Sequence, residues 1–284
     1  MKKIMEEYST TFFKCAQDWP KDILNDVYKL YAYLRVADEM VEGENYEHDY
    51  KEWRKVIEQF HEVSDKYEFD GRWLEDFHQS MFTDLVKKKH TINSMLEYSK
   101  GSSESVGCMM ARILGAPPEA DEHARSLGRA YQIINFVRDY EEDVEKGYHY
   151  IGPNHDIYIR LFLENLEEGM KGIHYIPEDL HGPILMANKE YLKLIDGKPT
   201  YYKVMWHNCN RCRTHYTSDA PHLRAYLCDD CWNALPHFVA KVPAYTVKKK
   251  RVYKSKEYSW KEIALYTIGN LLCLTVIAYY LWFK

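Results

Sequence analysis

The chain lacks an excess of positive charge. Its 284 residues include 38 Lys and Arg against 43 Asp and Glu, which gives a formal net charge of -5. This balance gives no support to bulk nucleic-acid binding, so no nucleic-acid partner is expected. The sequence also lacks the polar bias of a disordered chain, since 46% of its residues are hydrophobic. Its length suits one large folded domain or two small ones.

The first residues lack the apolar core of a secretory signal peptide. Lys2 and Lys3 are followed by Glu6 and Glu7, so we expect a chain in a reducing compartment. Three of the seven cysteines stand alone inside apolar helical patterns and are expected to be buried thiols, namely Cys15, Cys108 and Cys273.

The first 195 residues lack a convincing alternating strand pattern. Instead, apolar residues recur at spacings of three and four, which predicts helices. Five segments show this spacing: Ile23–Val41, Trp53–Val63, Trp73–Val86, Ile92–Leu114 and Leu127–Val144. Glycine or proline marks the breaks before, between and after these segments, at Pro20, Gly43, Gly71, Gly115 and Gly147. The sequence predicts an all-α body in the form of one large helical bundle.

Charge is absent from the segment Ile263–Phe283, whose 21 residues suffice to cross a bilayer. A buried last helix of the bundle is the alternative, although such a helix is rarely apolar on all sides. The basic stretch Lys248–Lys261 precedes the segment and would attract anionic lipid. By the positive-inside rule, we expect a single-pass membrane anchor at residues 262–284, with the body on the cytoplasmic face.

Two predicted helices carry carboxylates on one face. On the first, Asp38 and Glu42 lie one turn apart, and Arg35 precedes Asp38 by three residues. The second carries a polar stripe within an otherwise apolar helix, formed by Gln132, Asn135, Asp139 and Asp143. Facing carboxylates inside a bundle need cations. Mg²⁺ bound together with substrate phosphates would supply them, and so would salt bridges to Arg35 and Arg138.

These segments resemble the squalene/phytoene synthase family, the head-to-head prenyl transferases with the all-α isoprenoid synthase fold. The resemblance covers roughly the first 195 residues in order. It rests on Tyr31-Ala-Tyr-Leu-Arg-Val-Ala-Asp-Glu-Met-Val-Glu42, on Ser105-Val-Gly107, on Gly172-Ile-His-Tyr-Ile-Pro-Glu-Asp179 and above all on Leu127-Gly-Arg-Ala-Tyr-Gln-Ile-Ile-Asn-Phe-Val-Arg-Asp-Tyr-Glu-Glu-Asp143.

The resemblance implies a two-stage reaction in which one allylic diphosphate ionises and a second molecule attacks it, giving a cyclopropyl diphosphate that rearranges to a hydrocarbon. It implies Mg²⁺ ligands at Asp38, Glu39, Glu42, Asp139 and Asp143. It implies substrate-binding residues at Arg35, Tyr98, Gln132, Asn135, Arg138 and Arg251, and tyrosines of the reaction cavity at Tyr31 and Tyr191.

The product is open at this point. The segments Arg35–Val41 and Gly172–Asp179 look more like prokaryotic phytoene synthases, which would join two geranylgeranyl diphosphates. Arg138–Asp143 and the tail anchor are reminiscent of squalene synthases, which use farnesyl diphosphate and NADPH. A synthase-like scaffold without activity is the third hypothesis, because Glu42, Glu104 and Tyr148 depart from the family pattern.

Two Cys-x-x-Cys pairs stand fifteen residues apart, at Cys209, Cys212, Cys228 and Cys231. This spacing is typical of a tetrahedral structural Zn²⁺ site. We therefore expect a zinc-ribbon-like insert that braces the active-site rim or docks a downstream membrane enzyme. The predicted organisation is a synthase domain at 1–198, the insert at 199–237, a basic segment at 238–261 that completes the synthase domain, and the anchor at 262–284.

Overall fold

The computed structural model describes residues 1–42, 50–195, 205–208 and 215–218. The first two ranges are helical, as expected. Eleven α-helices occur in this described part: α1 Lys2–Tyr8, α2 Thr10–Ala16, α3 Lys21–Glu42, α4 Tyr50–Lys66, α5 Gly71–Val86, α6 Ile92–Ser99, α7 Ser105–Ile113, α8 Asp121–Arg138, α9 Tyr140–Glu145, α10 His155–Lys171 and α11 His181–Lys193. Short 3₁₀ turns lie at Pro118–Ala120, Gly172–Tyr175 and Glu178–Leu180.

Helix α5 shows how local chemistry sets a boundary and an orientation. Its N-cap residue Asp70 accepts a hydrogen bond from the backbone N–H of Arg72 at 2.9 Å, which satisfies one of the free donors of the first turn. The side chains that it buries include Trp73, Phe77 and Met81, which recur every four residues. The predicted helix Trp73–Val86 is thereby confirmed.

The predicted continuous helix Ile92–Leu114 is wrong in its middle, where a π-helix at Lys100–Glu104 separates α6 from α7. A side chain at Gly101 would collide with the backbone carbonyl of Asp76 on α5, so only glycine permits this approach. The buried hydroxyl of Ser80 on α5 donates a hydrogen bond at 2.8 Å to the backbone carbonyl of Tyr98, near the end of α6. Apolar periodicity cannot reveal one extra residue in a helical turn.

Helix α8 lies at the centre of the packing and contacts α7, α10 and the π-helix. Backbones approach closely there, because a side chain at Gly107 would strike Ala124 and one at Gly128 would strike Ser103. Helix α7 also contacts α3, so the two helices that carry the predicted acidic faces share α7 as a neighbour.

The predicted helix Leu127–Val144 begins earlier, at Asp121, and is interrupted at Asp139. Asp139 ends α8 and precedes α9, with φ of -96° and ψ of 6°. Hydrogen bonds four residues apart nevertheless cross the break. The N–H of Asp139 donates to Asn135 at 2.8 Å, and the N–H of Asp143 donates to Asp139 at 2.9 Å. The helical spacing of the polar stripe therefore survives.

Two short strands lie within the predicted insert. Strands β1, Met205–Asn208, and β2, His215–Ser218, pair antiparallel with Asn208 opposite His215. The four cysteines proposed as Zn²⁺ ligands lie outside the described residues, as does Arg251. The residues that the structure describes include no helix long and apolar enough to cross a membrane, and the predicted anchor lies outside them. The domain boundaries stay a prediction.

Candidate functional site

Arg35 neutralises the acidic face of α3. Its Nη1 lies 2.7 Å from Asp38 Oδ2, and its Nε lies 3.3 Å from Glu39 Oε1. Helical spacing of three and four residues places these groups on one face. Glu39 is buried, so its charge needs this partner. Tyr31 lies one turn before Arg35, and burial raises the pKa of its hydroxyl to about 12.

Arg138 plays the same part at the second acidic face. Its guanidinium makes two parallel contacts with the adjacent Asp139, from Nε to Oδ1 at 2.7 Å and from Nη2 to Oδ2 at 2.6 Å. Both predicted metal-binding faces therefore carry a salt bridge. This geometry fits the salt-bridge interpretation directly. It also fits a binding site in which the two arginines would turn from carboxylate to substrate phosphate.

Asn135 and Tyr191 lie together beside Asp139. The Tyr191 ring on α11 is buried, and burial raises its pKa while contact with Asn135 and the charge of Arg138 partly oppose this. The side-chain oxygen of Asn135 is buried and has no hydrogen-bond partner within the described part of the chain. An oxygen of this kind is able to accept from a water or to ligate a hard cation. The fold thus brings Tyr191 to the predicted polar stripe.

Tyr98 is held by a carboxylate that the sequence analysis missed. Its hydroxyl donates to Asp84 Oδ2 at 2.6 Å, and the hydroxyl of Tyr150 donates to Asp84 Oδ1 at 2.9 Å. Burial and the charge of Asp84 raise the pKa of Tyr98 far above its usual value, and Asp38 contributes to the same rise. Tyr98 therefore lies within electrostatic reach of the acidic face of α3.

A clue to Asp84 exists in the sequence. It falls three residues after Met81 and seven after Phe77, on the apolar stripe of α5, where a hydrophobic residue is expected. A charge at such a position points to a buried partner. Neither tyrosine is adjacent to Asp84 in sequence, however, so spacing could not identify them.

Aromatic rings connect Tyr98 to α8. The Phe136 ring lies 6.2 Å from that of Tyr98 and stacks on Tyr150 at 4.6 Å. Tyr150 stacks in turn on Tyr148 at 5.6 Å. The ammonium of Lys88 lies 3.7 Å from the centre of the Tyr148 ring and hydrogen-bonds its hydroxyl. Tyr148, one of the departures from the family pattern, is thus a packed residue that contacts a cation.

Glu104, another departure, has a buried structural pairing. Its Oε1 accepts from Arg129 Nε at 2.7 Å, and Arg129 Nη1 donates to Asn165 at 3.0 Å. Only 3% of Glu104 is exposed, so the pair is needed to hold this carboxylate between α8 and the π-helix. The side chain of the third departure, Glu42, lies outside the described residues.

The described residues contain no cluster of three or more His, Cys, Asp or Glu side chains that could hold a metal ion. Mg²⁺ commonly takes only one or two carboxylates and completes its shell with water and substrate phosphates. The donors present are of the kind it prefers: carboxylates at Asp38, Glu39, Asp139 and Asp143, together with the unpartnered oxygen of Asn135. Their chemistry fits Mg²⁺. Gln132 is half-buried one turn before Asn135.

The family model described as squalene/phytoene synthase matches residues 5–156, more than half of the chain. A 4,4'-diapophytoene synthase from Staphylococcus haemolyticus is 27% identical over 166 residues, which cover 51% of this chain and 58% of that protein. A phytoene synthase from Thermus thermophilus is 29% identical over 159 residues, covering 51% and 55%. The chain therefore spans little more than half the length of these curated relatives.

Two solved structures have a similar fold. A dehydrosqualene synthase in complex with ligand superposes with a TM-score of 0.59 at 20% identity, covering 68% of this chain and 84% of that one. A squalene synthase from Alicyclobacillus acidocaldarius superposes with a TM-score of 0.54 at 14% identity, covering 67% and 89%. At these identities the likeness establishes the helical fold alone.

The Asp84 pair gives a matched test of the site. We expect Tyr98→Phe and Tyr150→Phe to lower the free energy of unfolding by similar amounts, about 1.5–3 kcal/mol each, because each removes one hydrogen bond to a carboxylate. Only Tyr98→Phe should also raise the KM for a prenyl diphosphate, since Tyr98 is the predicted substrate contact. Urea unfolding and steady-state kinetics measure both quantities. Equal kinetic effects of the two changes would contradict a binding role for Tyr98.

Proposed function

The chain belongs to the squalene/phytoene synthase family, and on that premise we propose that it is a Mg²⁺-dependent prenyltransferase that joins two isoprenoid diphosphates head to head. The preferred substrate is geranylgeranyl diphosphate, the intermediate a cyclopropyl diphosphate and the product phytoene. The phytoene synthase among the relatives supports this choice.

The observation that carries the proposal is the meeting of distant segments at the two acidic faces. Tyr191 of α11 lies beside Asn135, Arg138 and Asp139, although more than fifty residues separate them in the chain. The Tyr98 ring lies 6.2 Å from that of Phe136 on α8, and the charge of Asp38 on α3 adds to the rise in the pKa of Tyr98. A purely structural salt-bridge network would not need tyrosines and an unpartnered amide oxygen at the same place.

The side chains have distinct roles in this proposal. Asp38, Glu39, Glu42, Asp139 and Asp143 would hold Mg²⁺, which supplies charge neutralisation for the diphosphate leaving group when bound. Arg35 and Arg138 exchange their carboxylate partners for phosphate oxygens, which their planar guanidinium groups match. Tyr31, Tyr191 and Phe136 provide aromatic surface that keeps water from a reacting cation. Gln132, Asn135 and Arg251 contribute further polar contacts to the diphosphate.

A squalene-type reaction with farnesyl diphosphate and NADPH is the second candidate. It is favoured by the Arg138–Asp143 segment, which resembles that of squalene synthases. A scaffold without activity is a weaker candidate, because Tyr148 and Glu104 have specific partners in this fold and need not signal a decayed site.

The deciding measurement is an incubation of the purified full chain with Mg²⁺ and either geranylgeranyl or farnesyl diphosphate, with and without NADPH. We expect phytoene from the twenty-carbon substrate in the absence of NADPH, identified by mass spectrometry. Squalene formed only with NADPH would favour the second candidate. A folded chain that yields neither hydrocarbon nor cyclopropyl diphosphate would contradict both.

Two matched variants extend this assay. Asp139→Asn removes a charge from the proposed Mg²⁺ ligands, so we expect the rate to fall at least about 100-fold. Glu141→Gln makes the same change at an exposed position two residues away and should keep the rate within about twofold. Equal rates in the two variants would exclude the acidic stripe from catalysis.

The Cys-x-x-Cys pairs suggest a structural Zn²⁺ in the insert, and we propose that this ion braces the rim of the site or supports docking of a downstream membrane enzyme. In the sequence, Cys209 directly follows β1 and Cys212 precedes β2 by three residues. Atomic absorption should find one zinc per chain, lost in Cys209→Ser and retained in the control Cys273→Ser. Removal of zinc without loss of fold or activity would contradict the bracing role.

The proposed localisation is a membrane, with residues 262–284 as a single-pass anchor and the catalytic body on the cytoplasmic face. The uncharged length of Ile263–Phe283 and the preceding lysines support it. The full chain should remain in the membrane pellet after alkaline carbonate extraction, whereas a chain ending at residue 261 should not. Release of the full chain by carbonate would contradict a spanning anchor.

A further inference from the structure

The outward face of α5 carries apolar side chains where polar ones are expected. Phe82 is 44% exposed, Leu85 37% and Val86 70%. They are spaced by three and four residues, so they lie together on one side of the last helical turns. The opposite side carries the buried residues Met81 and Asp84. The exposed group is therefore a surface distinct from the core.

Lysines follow this apolar group at once, at Lys87, Lys88 and Lys89. Lys88 turns back to Tyr148. Lys87 and Lys89 form no ion pair with any residue that the structure describes. The sole carboxylate between residues 82 and 90, Asp84, is buried and occupied by two tyrosines. This end of α5 is positively charged and apolar at the same time.

The lysine segment is fixed to the body of the protein. The N–H of His90 donates to the carbonyl of His149 at 2.9 Å, and the N–H of His149 donates to the carbonyl of Lys88 at 2.7 Å. These bonds close an isolated bridge between Lys89 and His149. The charges are thus held at the end of α5 beside the apolar group, as a continuous surface requires.

We propose that this surface, the α5 patch of Phe82, Leu85, Val86, Lys87 and Lys89, docks on an anionic lipid bilayer. Apolar side chains beside lysines match the boundary between the acyl chains and the headgroups of a bilayer. The apolar side chains insert among the acyl chains, and the lysines contact the negatively charged headgroups. Interfaces between proteins are depleted in lysine, which makes a protein partner the poorer match.

The α5 patch and the residues of the candidate site lie on different sides of α5. Asp84 points inward from the same turn of α5 and holds Tyr98, while Leu85 and Val86 point outward. Docking would bring this side of the bundle to the membrane, independently of the proposed tail anchor. This surface would dock in the same way whichever reaction the protein catalyses.

A photocrosslinking experiment on the full chain tests docking even when an anchor already holds the protein on a vesicle. Benzoylphenylalanine is placed at Val86, or at Ile157 as the control, an exposed apolar residue that follows Asp156. The chain is reconstituted in vesicles of phosphatidylcholine with or without phosphatidylglycerol. In the phosphatidylglycerol vesicles, we expect the yield of lipid adducts from position 86 to be at least about fivefold higher than the yield from position 157. One contact between a lysine and an anionic headgroup is worth roughly that factor in binding.

Charge neutralisation completes the test. Lys87→Gln and Lys89→Gln together should lower the adduct yield from position 86 at least about fivefold. The urea midpoint should stay unchanged, because Lys89 is exposed, Lys87 is only half-buried, and glutamine keeps most of the length of either side chain. Three results would overturn the proposal: equal yields from positions 86 and 157, equal yields in the two kinds of vesicle, or adducts from position 86 to protein in place of lipid.

Discussion

Carboxylates that lie between packed helices must be neutralised, and this requirement organises the interior of the bundle. Arg35 forms salt bridges with Asp38 and Glu39, and Arg129 forms one with Glu104. Two tyrosine hydroxyls donate hydrogen bonds to Asp84. Removing one partner from such a group leaves a buried charge, which destabilises a protein more than the intact pair stabilises it. The helices are therefore tied to one another at their polar positions as well as by apolar packing.

The same requirement links stability to the proposed chemistry. The arginines that neutralise Asp38 and Asp139 have the shape and charge that a diphosphate needs. In the absence of substrate they keep the acidic faces compatible with folding. In the proposed site, Asp38 and Asp139 would hold Mg²⁺, which would neutralise the diphosphate, and Arg35 and Arg138 would then have phosphate oxygens as partners.

Close helix packing decides where these groups meet. Glycines at 101, 107 and 128 let α5, α7, α8 and the π-helix approach at backbone distance. The π-helix between α6 and α7 begins two residues after Tyr98, whose hydroxyl bonds to Asp84 on α5. Because α7 contacts both α3 and α8, it fixes the relation of the two acidic helices. The sites of closest packing thus position the residues expected to act on substrate.

The sequence by itself determined the helical class, the helices α3, α4 and α5, the polar stripe Gln132–Asp143 and the family, because apolar periodicity and helical spacing are local properties. The tertiary structure alone decided that Asp84 holds Tyr98 and Tyr150, that Tyr191 reaches Asn135, that Lys88 covers Tyr148, and that a π-helix interrupts Ile92–Leu114. Each of these depends on residues that are distant in the chain or on the steric fit of one helix against another. No periodicity within a single segment carries that information, since it arises only when the helices pack.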